Sequence, residues 1–263
     1  MFGNNLTADQ TSALLNKFVE DSRGIVEQRE FGFHPSPEVL PLISADLLSE
    51  YLLLFKEVDL AANLSAEQVN STLTKILERN TSKHKIRFYG DLSSEAPDLL
   101  AQSLVKMETS LFGGQASLSP GQAEAVFREI ALSEELNLTG IRICLVGRSQ
   151  GMDLSFVDPG NLAKALVRLE SVTLERIHLT PHQAEAIFRE VAQSQNLILT
   201  NLEIRFRDLT DLSSVSRDFL RLAMMRLKFV WILGAVLTED QTNDVENIRG
   251  QRGDKTYWNK RCQ

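Results

Sequence analysis

The feature that most constrains this chain is an internal repeat built on the pattern Leu-Ser/Thr-x-x-Gln. Five copies follow one another at intervals of 58, 54, 61 and 58 residues. They begin at Leu6, Leu64, Leu118, Leu179 and Leu237. Two copies match over a longer stretch, LSPGQAEAVFREIALSEELNLTGIRI (118–143) and LTPHQAEAIFREVAQSQNLILTNLEI (179–204). A recurring period of this kind predicts stacked units rather than one closed core.

A second motif, Asp-Leu-Ser/Thr, lies between the copies of the first. It begins at Asp91, Asp153 and Asp208. The two motifs alternate, so the period of about 58 residues divides into half-units of about 29 residues each. Each half-unit is then long enough for one strand and one helix.

The apolar pattern within a half-unit changes from strand spacing to helix spacing. Leu169, Val172, Leu174, Ile177 and Leu179 occupy relative positions 1, 4, 6, 9 and 11. Apolar residues then recur at helical spacing in 182–194, and Ser or Thr followed by Pro marks the helix start. We therefore predict strands near 55–60, 83–88, 107–112, 138–143, 169–174, 199–204 and 227–232, with a weaker one near 26–33.

Three places depart from a regular register. One extra residue between Met107 and Leu118 leaves open whether Leu111 or Phe112 points inward. Between Phe55 and Leu64 one residue is missing, and the segment 146–152 is an insertion between strand and helix. The unit that begins at 199 follows the regular spacing, which predicts that its positions 9 and 11 are Arg207 and Leu209. Insertions in repeat arrays fall in loops, and some of them serve recognition.

This spacing resembles the leucine-rich repeat pattern L-x-x-L-x-L-x-x-N/C-x-L, and a unit of about 29 residues is similar to the ribonuclease-inhibitor-like class. The resemblance implies an α/β horseshoe solenoid with parallel strands on the concave face and helices on the convex face. It covers residues 1–247, about eight strand–helix repeats of which the N-terminal one is partial. From 248 to 263 the apolar period is lost, and we expect a basic, disordered tail or the product of a faulty gene end.

Composition and motifs limit the classes of partner and of activity that the chain can have. The net charge of −7 disfavours nucleic acid and anionic lipid as partners of the whole chain. The sequence has no P-loop, GxGxxG, GxSxG or HExxH motif, and Leu-Thr-Pro between His178 and His182 breaks the helical face that a metal pair needs. We therefore expect no enzyme activity, no cofactor, no metal and no small-molecule ligand.

The cysteines and the N-terminal sequence predict a cytoplasmic protein. Cys144 and Cys262 are too few and too far apart in sequence for a disulfide framework. The first residues lack the basic and apolar regions of a secretion signal, and the longest apolar stretch, 229–237, is far shorter than the about 20 residues that span a membrane. Glycosylation sequons such as Asn137 would matter only with a missing leader.

Strand residues that alternate with the apolar ones give the candidate binding residues. Arg and aromatic side chains are enriched in interface hot spots, so a row of them predicts a protein-binding surface. The alternative is that its charges form cross-strand ion pairs on a solvated sheet. The candidates are Arg87, Tyr89, Arg142, Glu175, Arg176, Glu203, Arg205, Phe206, Phe229 and Trp231.

The resemblance and these residues together predict a non-enzymatic scaffold that binds a protein partner through the concave face. An alternative is a ligand-sensing or substrate-reading fragment of a larger NOD-like receptor or ubiquitin-ligase adaptor. A second alternative is a nucleic-acid-associated module in which Tyr257 and Trp258 of the basic tail stack on bases. A third is a truncated copy without selected activity.

Overall fold

The chain folds into alternating helices and strands of the α/β class. A computed structural model describes residues 6–21, 38–60, 64–79, 84–90, 92–113, 116, 118–144, 152–252 and 256–259. Helices α1 to α9 are Ala8–Asp21, Ala45–Leu52, Ala66–Glu78, Pro97–Val105, Pro120–Leu132, Pro159–Val167, Pro181–Gln193, Arg217–Arg226 and Glu239–Arg252. Strands β1 to β9 are Glu57–Leu60, Lys85–Phe88, Thr109–Gly113, Gly140–Cys144, Met152–Asp153, Ser171–His178, Asn201–Asp211, Phe229–Val236 and Thr256–Asn259.

The strands form one parallel sheet in the order β1-β2-β3-β4-β6-β7-β8-β9, and the short strand β5 pairs with β6. Parallel neighbours need a crossover, and the repeated strand–helix unit supplies one each time. The main helix contacts join only helices that follow one another in the chain. The molecule is therefore a row of similar units, each packed on the next, which is compatible with a solenoid.

Alternating burial along the strands sets one face of the sheet against the helices. Ile86, Phe88, Leu174, Ile204 and Ile232 are among the buried strand residues, and they share one core cluster with the helices. The residues between them remain partly exposed. We call the surface formed by these alternate residues the open face.

The glutamine that recurs in the first motif caps its own helix and also forms hydrogen bonds to the preceding unit. In α7, Thr180 and Gln183 form a capping box. The Gln183 side-chain amide nitrogen also donates to the carbonyl oxygens of Leu154 and Val157 at 2.6 and 2.7 Å. Gln68, Gln122 and Gln241 make the same pair of bonds to their preceding units.

These bonds explain why the motif needs glutamine at this place. The side chain is buried, so its polar atoms require partners. Its oxygen accepts from the N-cap backbone while its nitrogen donates to two carbonyl oxygens, of which that of Leu154 also accepts from the Val157 amide in a turn. Glutamate could not donate to those carbonyls, and leucine would remove both bonds and leave the Val157 carbonyl without this donor.

Two details of the predicted register are wrong. Phe206, predicted to face outward, is buried at 7% exposure, whereas Leu209, predicted to face inward, is 58% exposed. The cause is a shift in pairing, because Phe206 lies opposite Ile177 after an irregularity at Glu175. The second motif of that unit therefore begins at Asp211 rather than Asp208, since Asp211 accepts from the Ser213 amide as Asp153 does from Ser155.

Other predictions have mixed outcomes. Phe112, not Leu111, points into the core. Each strand begins about two residues later than predicted, and those at Ser171, Asn201 and Phe229 run on beyond the predicted ends. The weak strand near 26–33 and loop residues 146–151 lie outside the described residues.

The C-terminal segment contains regular structure that the sequence analysis did not predict. Helix α9 continues to Arg252, five residues past the predicted end of the repeats at 247, and Ile248 on it is buried. Strand β9 then pairs with β8 in parallel. Residues 248–252 therefore belong to a helix and 256–259 to a strand of the sheet.

Candidate interaction surface

The open face is ordered by strand register into rows that cross the sheet. In the first row, neighbouring strands align Glu57, Lys85, Thr109, Gly140, Ser171, Asn201 and Phe229. In the second row they align Arg87, Leu111, Arg142, Thr173, Glu203 and Trp231. Because strands lie about 4.8 Å apart, side chains within a row are close enough to interact.

Most of the predicted binding residues lie on this face. The residues at unburied strand positions there are Arg87, Arg142, Glu175, Glu203, Arg205, Phe229 and Trp231. Tyr89 follows β2 and is half-buried, whereas Phe206 is part of the core. Arg176 is exposed and sits at the irregularity between Glu175 and Ile177 with φ of 57°.

The face carries one compact group of aromatic and charged side chains, which we call the Trp231 cluster: Glu175, Glu203, Arg205, Phe229 and Trp231. The Arg205 guanidinium lies 5.0 Å from the centroid of the Trp231 ring. Its nitrogens are 2.7 Å from a Glu203 carboxylate oxygen and 3.8 Å from one of Glu175.

Phe229 completes the cluster on the side away from Arg205. Its ring centroid is 6.2 Å from that of Trp231, with the planes tilted by 60°. One cross-strand ion pair, Arg205 with Glu175, therefore does occur here, as the alternative interpretation predicted, and a second pair, Arg205 with Glu203, joins residues of the same strand. They also hold the guanidinium against the indole, a cation–π arrangement that fixes both side chains.

A pocket of about 570 Å³ opens beside the cluster, at the carboxyl ends of β6, β7 and β8. We call it the strand-end pocket. It is lined by Arg176, Arg205, Phe206, Arg207, Asp208, Leu209, Leu233 and Gly234. Leu209 and Leu233 give it an apolar wall. Two of its arginines are in ion pairs, Arg207 with Asp208 and Arg205 with Glu203 and Glu175.

Glycine at 234 is required by the geometry of this pocket. Its φ is 79°, and an added Cβ would lie 3.3 Å from the Phe206 carbonyl oxygen. A positive φ is strained for residues with a side chain, so glycine lets β8 turn away beside β7. Arg207, Leu209, Leu233 and Gly234 were missed from sequence, because the shifted register of β7 changes which residues meet at the strand ends.

A second depression of about 400 Å³ lies over the middle of the sheet, and we call it the Gly140 groove. Its floor is the run of small residues Thr109, Gly140 and Ser171. Lys85, Arg87 and Arg142 stand at its sides, with Glu57 at one end. Arg87 pairs with Glu57.

Within the described part of the chain, no group of three or more His, Cys, Asp or Glu side chains could hold a metal ion. His178 instead lies 3.2 Å from an Asp153 carboxylate oxygen at the pairing of β5 with β6. No helix among the described residues is both long and apolar enough to cross a membrane. No protein-family model matches the chain, and neither does any curated protein at a significant level.

Proposed function

We propose that this chain is a leucine-rich repeat protein of the ribonuclease-inhibitor-like class, a non-enzymatic scaffold that binds a protein partner through the open face of its sheet. The Trp231 cluster is the observation that carries the proposal. Trp and Arg dominate interface hot spots because they combine a large contact area with directed hydrogen bonding. Here the two side chains are already held in contact.

The cluster is suited to binding because its side chains have little freedom left to lose. Arg205 is held by two carboxylates, and the Trp231 ring lies between Arg205 and Phe229. Ordering a flexible side chain costs about 0.5–1.5 kcal/mol on association, so prior ordering favours binding. The strand-end pocket next to it would accept a partner side chain that is apolar with a polar or acidic end.

The same proposal places the protein in the cytoplasm. Cys144 and Cys262 are far apart in the sequence and supply no disulfide framework, and such sparse cysteine use is typical of a reducing compartment.

Affinity capture from a lysate of the source cells, read by quantitative mass spectrometry, tests the proposal. The intact chain is compared with the triple variant Arg87→Glu, Arg205→Glu and Trp231→Ala, and with a control carrying Arg128→Glu, an exposed arginine on α5. All three must give the same circular dichroism. Because Arg205→Glu would crowd Glu203 and Glu175, the milder Arg205→Gln with Trp231→Ala is included.

We expect a protein captured by the intact chain and by the control, and reduced at least about 30-fold with the triple variant, the size of one lost hot spot. Equal capture by all variants would move the binding surface away from the open face. Capture of no protein by the intact chain would contradict the proposal as a whole.

A further inference from the structure

Two cations on the open face lack the carboxylate partners that other cations there have. Arg87 pairs with Glu57, and Arg205 pairs with Glu203 and Glu175. Lys85 on β2 and Arg142 on β4 form no ion pair or side-chain hydrogen bond with any described residue. Both line the Gly140 groove, so two of its three positive charges are open to an incoming anion.

The floor between these cations is low because of one glycine. Thr109, Gly140 and Ser171 are direct partners across β3, β4 and β6. A Cβ on Gly140 would lie 3.2 Å from the Ser171 carbonyl oxygen, so a side chain here would be crowded against the neighbouring strand. Gly140 is itself buried, so glycine serves the close approach of β4 and β6, and no side chain of β4 rises into the groove at this point.

The groove also offers neutral hydrogen-bond donors. The hydroxyls of Thr109, Ser171 and Thr173 lie along it, and none is hydrogen bonded to another side chain in the described ranges. A hydroxyl can turn its proton toward a carboxylate oxygen. Guanidinium, ammonium and hydroxyl groups around a low floor form a surface of acid-binding chemistry.

We propose that the Gly140 groove binds an acidic segment of the protein partner, with carboxylate side chains placed against Lys85 and Arg142. This inference rests on the proposed function, since it names the chemistry of what lies on the open face. Among the lining residues that the structure describes, three cations face one carboxylate, that of Glu57, on a chain whose net charge is −7. The local charge is therefore opposite to that of the molecule.

The spacing of the two cations favours a segment with more than one acidic residue. Lys85 and Arg142 are two strands apart and staggered by two residues, which puts their Cα atoms about 12 Å from each other. A small anion would reach both only if both side chains folded inward. Nucleic acid is disfavoured because none of the described residues that line the groove is aromatic, so they offer no ring on which a base could stack.

Fluorescence anisotropy with a short fluorescein-labelled poly-L-glutamate peptide tests this inference, with poly-L-lysine of the same length as the opposite-charge probe. The intact chain is compared with the double variant Lys85→Gln and Arg142→Gln, and with Ser171→Phe, which fills the groove without changing its charge. The control is Lys228→Gln, an exposed lysine beside the first residue of β8 and away from the groove.

We expect poly-L-glutamate to bind, to weaken as salt is raised, and to lose at least about tenfold in affinity in the double variant and in Ser171→Phe. Lys228→Gln should stay within about twofold, because only the diffuse charge changes. Affinity unchanged in the double variant would overturn the inference. So would retained binding by Ser171→Phe, because the attraction would then be electrostatic without using the groove.

Inorganic phosphate added at constant ionic strength separates an acidic segment from a small anion. We expect it to leave peptide affinity unchanged, and displacement of the peptide would assign the groove to small anions and overturn the inference. The outcome is independent of the Trp231 cluster. If lysate capture depends on Trp231 and Arg205 while poly-L-glutamate does not bind, the acidic segment is wrong and the scaffold function stands. If the peptide binds but no protein is captured, the groove binds acidic chains and the scaffold function is wrong.

Discussion

Buried glutamine is the single residue on which the joint between neighbouring units depends most. Gln183 is 1% exposed and serves three backbone groups: the Thr180 amide, through its side-chain oxygen, and the carbonyls of Leu154 and Val157, through its nitrogen. Replacement by leucine removes all three bonds and takes the side-chain donor from the Val157 carbonyl, while the Leu154 carbonyl keeps its bond from the Val157 amide. We expect Gln183→Leu to lower the free energy of unfolding by about 3 kcal/mol or more, measured by urea denaturation.

Gln10 is the matched control for that substitution. It belongs to the same motif and forms the same reciprocal bonds with Thr7, but its side chain is exposed. We expect Gln10→Leu to cost only about 1 kcal/mol, the value of a local cap. Equal losses for the two variants would show that capping, rather than the bonds to the preceding unit, accounts for the effect.

Glu95 is a buried carboxylic acid at a position where the other units have an apolar side chain. It occupies the position of Val157 and Ile43 relative to the glutamine bonds and is 3% exposed. One of its carboxylate oxygens has no hydrogen-bond partner, and burial raises the pKa of Glu95 although the Ser94 hydroxyl lowers it in part.

The pH dependence of stability follows from the direction of that shift. The folded chain holds the Glu95 proton up to a higher pH than the unfolded chain does, so this residue costs stability once pH rises through its folded pKa. We expect Glu95→Val to raise the free energy of unfolding by about 1–2 kcal/mol at neutral pH. The gain should shrink as pH falls below the usual carboxyl pKa; a gain that stays constant with pH would contradict burial of the charged form as its cause.

At the scale of elements, an arginine after one helix caps the carboxyl end of the helix before it. Arg168 donates to the carbonyl oxygens of Ile130 and Ala131 at 2.8 Å and to that of Ser133, closing the end of α5. Arg226 repeats these contacts at the end of α7. Positive charge at this end of a helix is also favoured by the helix dipole.

We expect Arg168→Met to lower the free energy of unfolding by about 2 kcal/mol, because it removes charged hydrogen bonds to several carbonyls. Lys106 is the control, since it occupies the same place after α4 but pairs with exposed Glu135 instead. Lys106→Met should cost less than about 1 kcal/mol. Guanidinium chloride is a salt and would screen the charge interactions that the two variants remove, so urea is used as the denaturant.

Elements were predicted well wherever one local pattern decides them. Ser or Thr followed by Pro marked the starts of α5 and α7, because an N-cap and the first helical residue are local signals, and both residues form capping boxes with Gln in the structure. The end of β7 was predicted wrongly because DLTDLSS offers two overlapping starts for the second motif. Only the pairing of strands selects between them, since Phe206 lies opposite Ile177 of β6 and the Leu212 amide donates to the Val236 carbonyl oxygen of β8.

The candidate surface also contains some features that a local pattern predicts and others that only strand pairing decides. Alternation placed Arg142, Glu203 and Trp231 on the open face, since a strand has only two faces. The strand-end pocket and the pairing of Arg205 with residues of its own and the neighbouring strand required the register, which a single sequence does not specify at an irregularity.

At the scale of the whole molecule, the contacts run along a line. Each helix packs mainly on the helices just before and after it, and the sheet order follows the chain order except for the short strand β5. The core continues through the units, with a smaller N-terminal cluster around Leu15, Leu48 and Tyr51. In such an array stability is close to a sum of unit terms and nearest-neighbour terms, so damage in one unit should stay near it.

Leu73→Ala tests this locality. Leu73 on α3 is fully buried, and its truncation should cost about 3 kcal/mol. In hydrogen exchange followed by mass spectrometry, we expect faster exchange in α2, α3 and β2 and little change in β7 and β8. Leu220→Ala on α8 should give the reverse pattern. Uniform acceleration across the chain by either substitution would show that the units unfold as one cooperative body, in which a local change is felt at every distance.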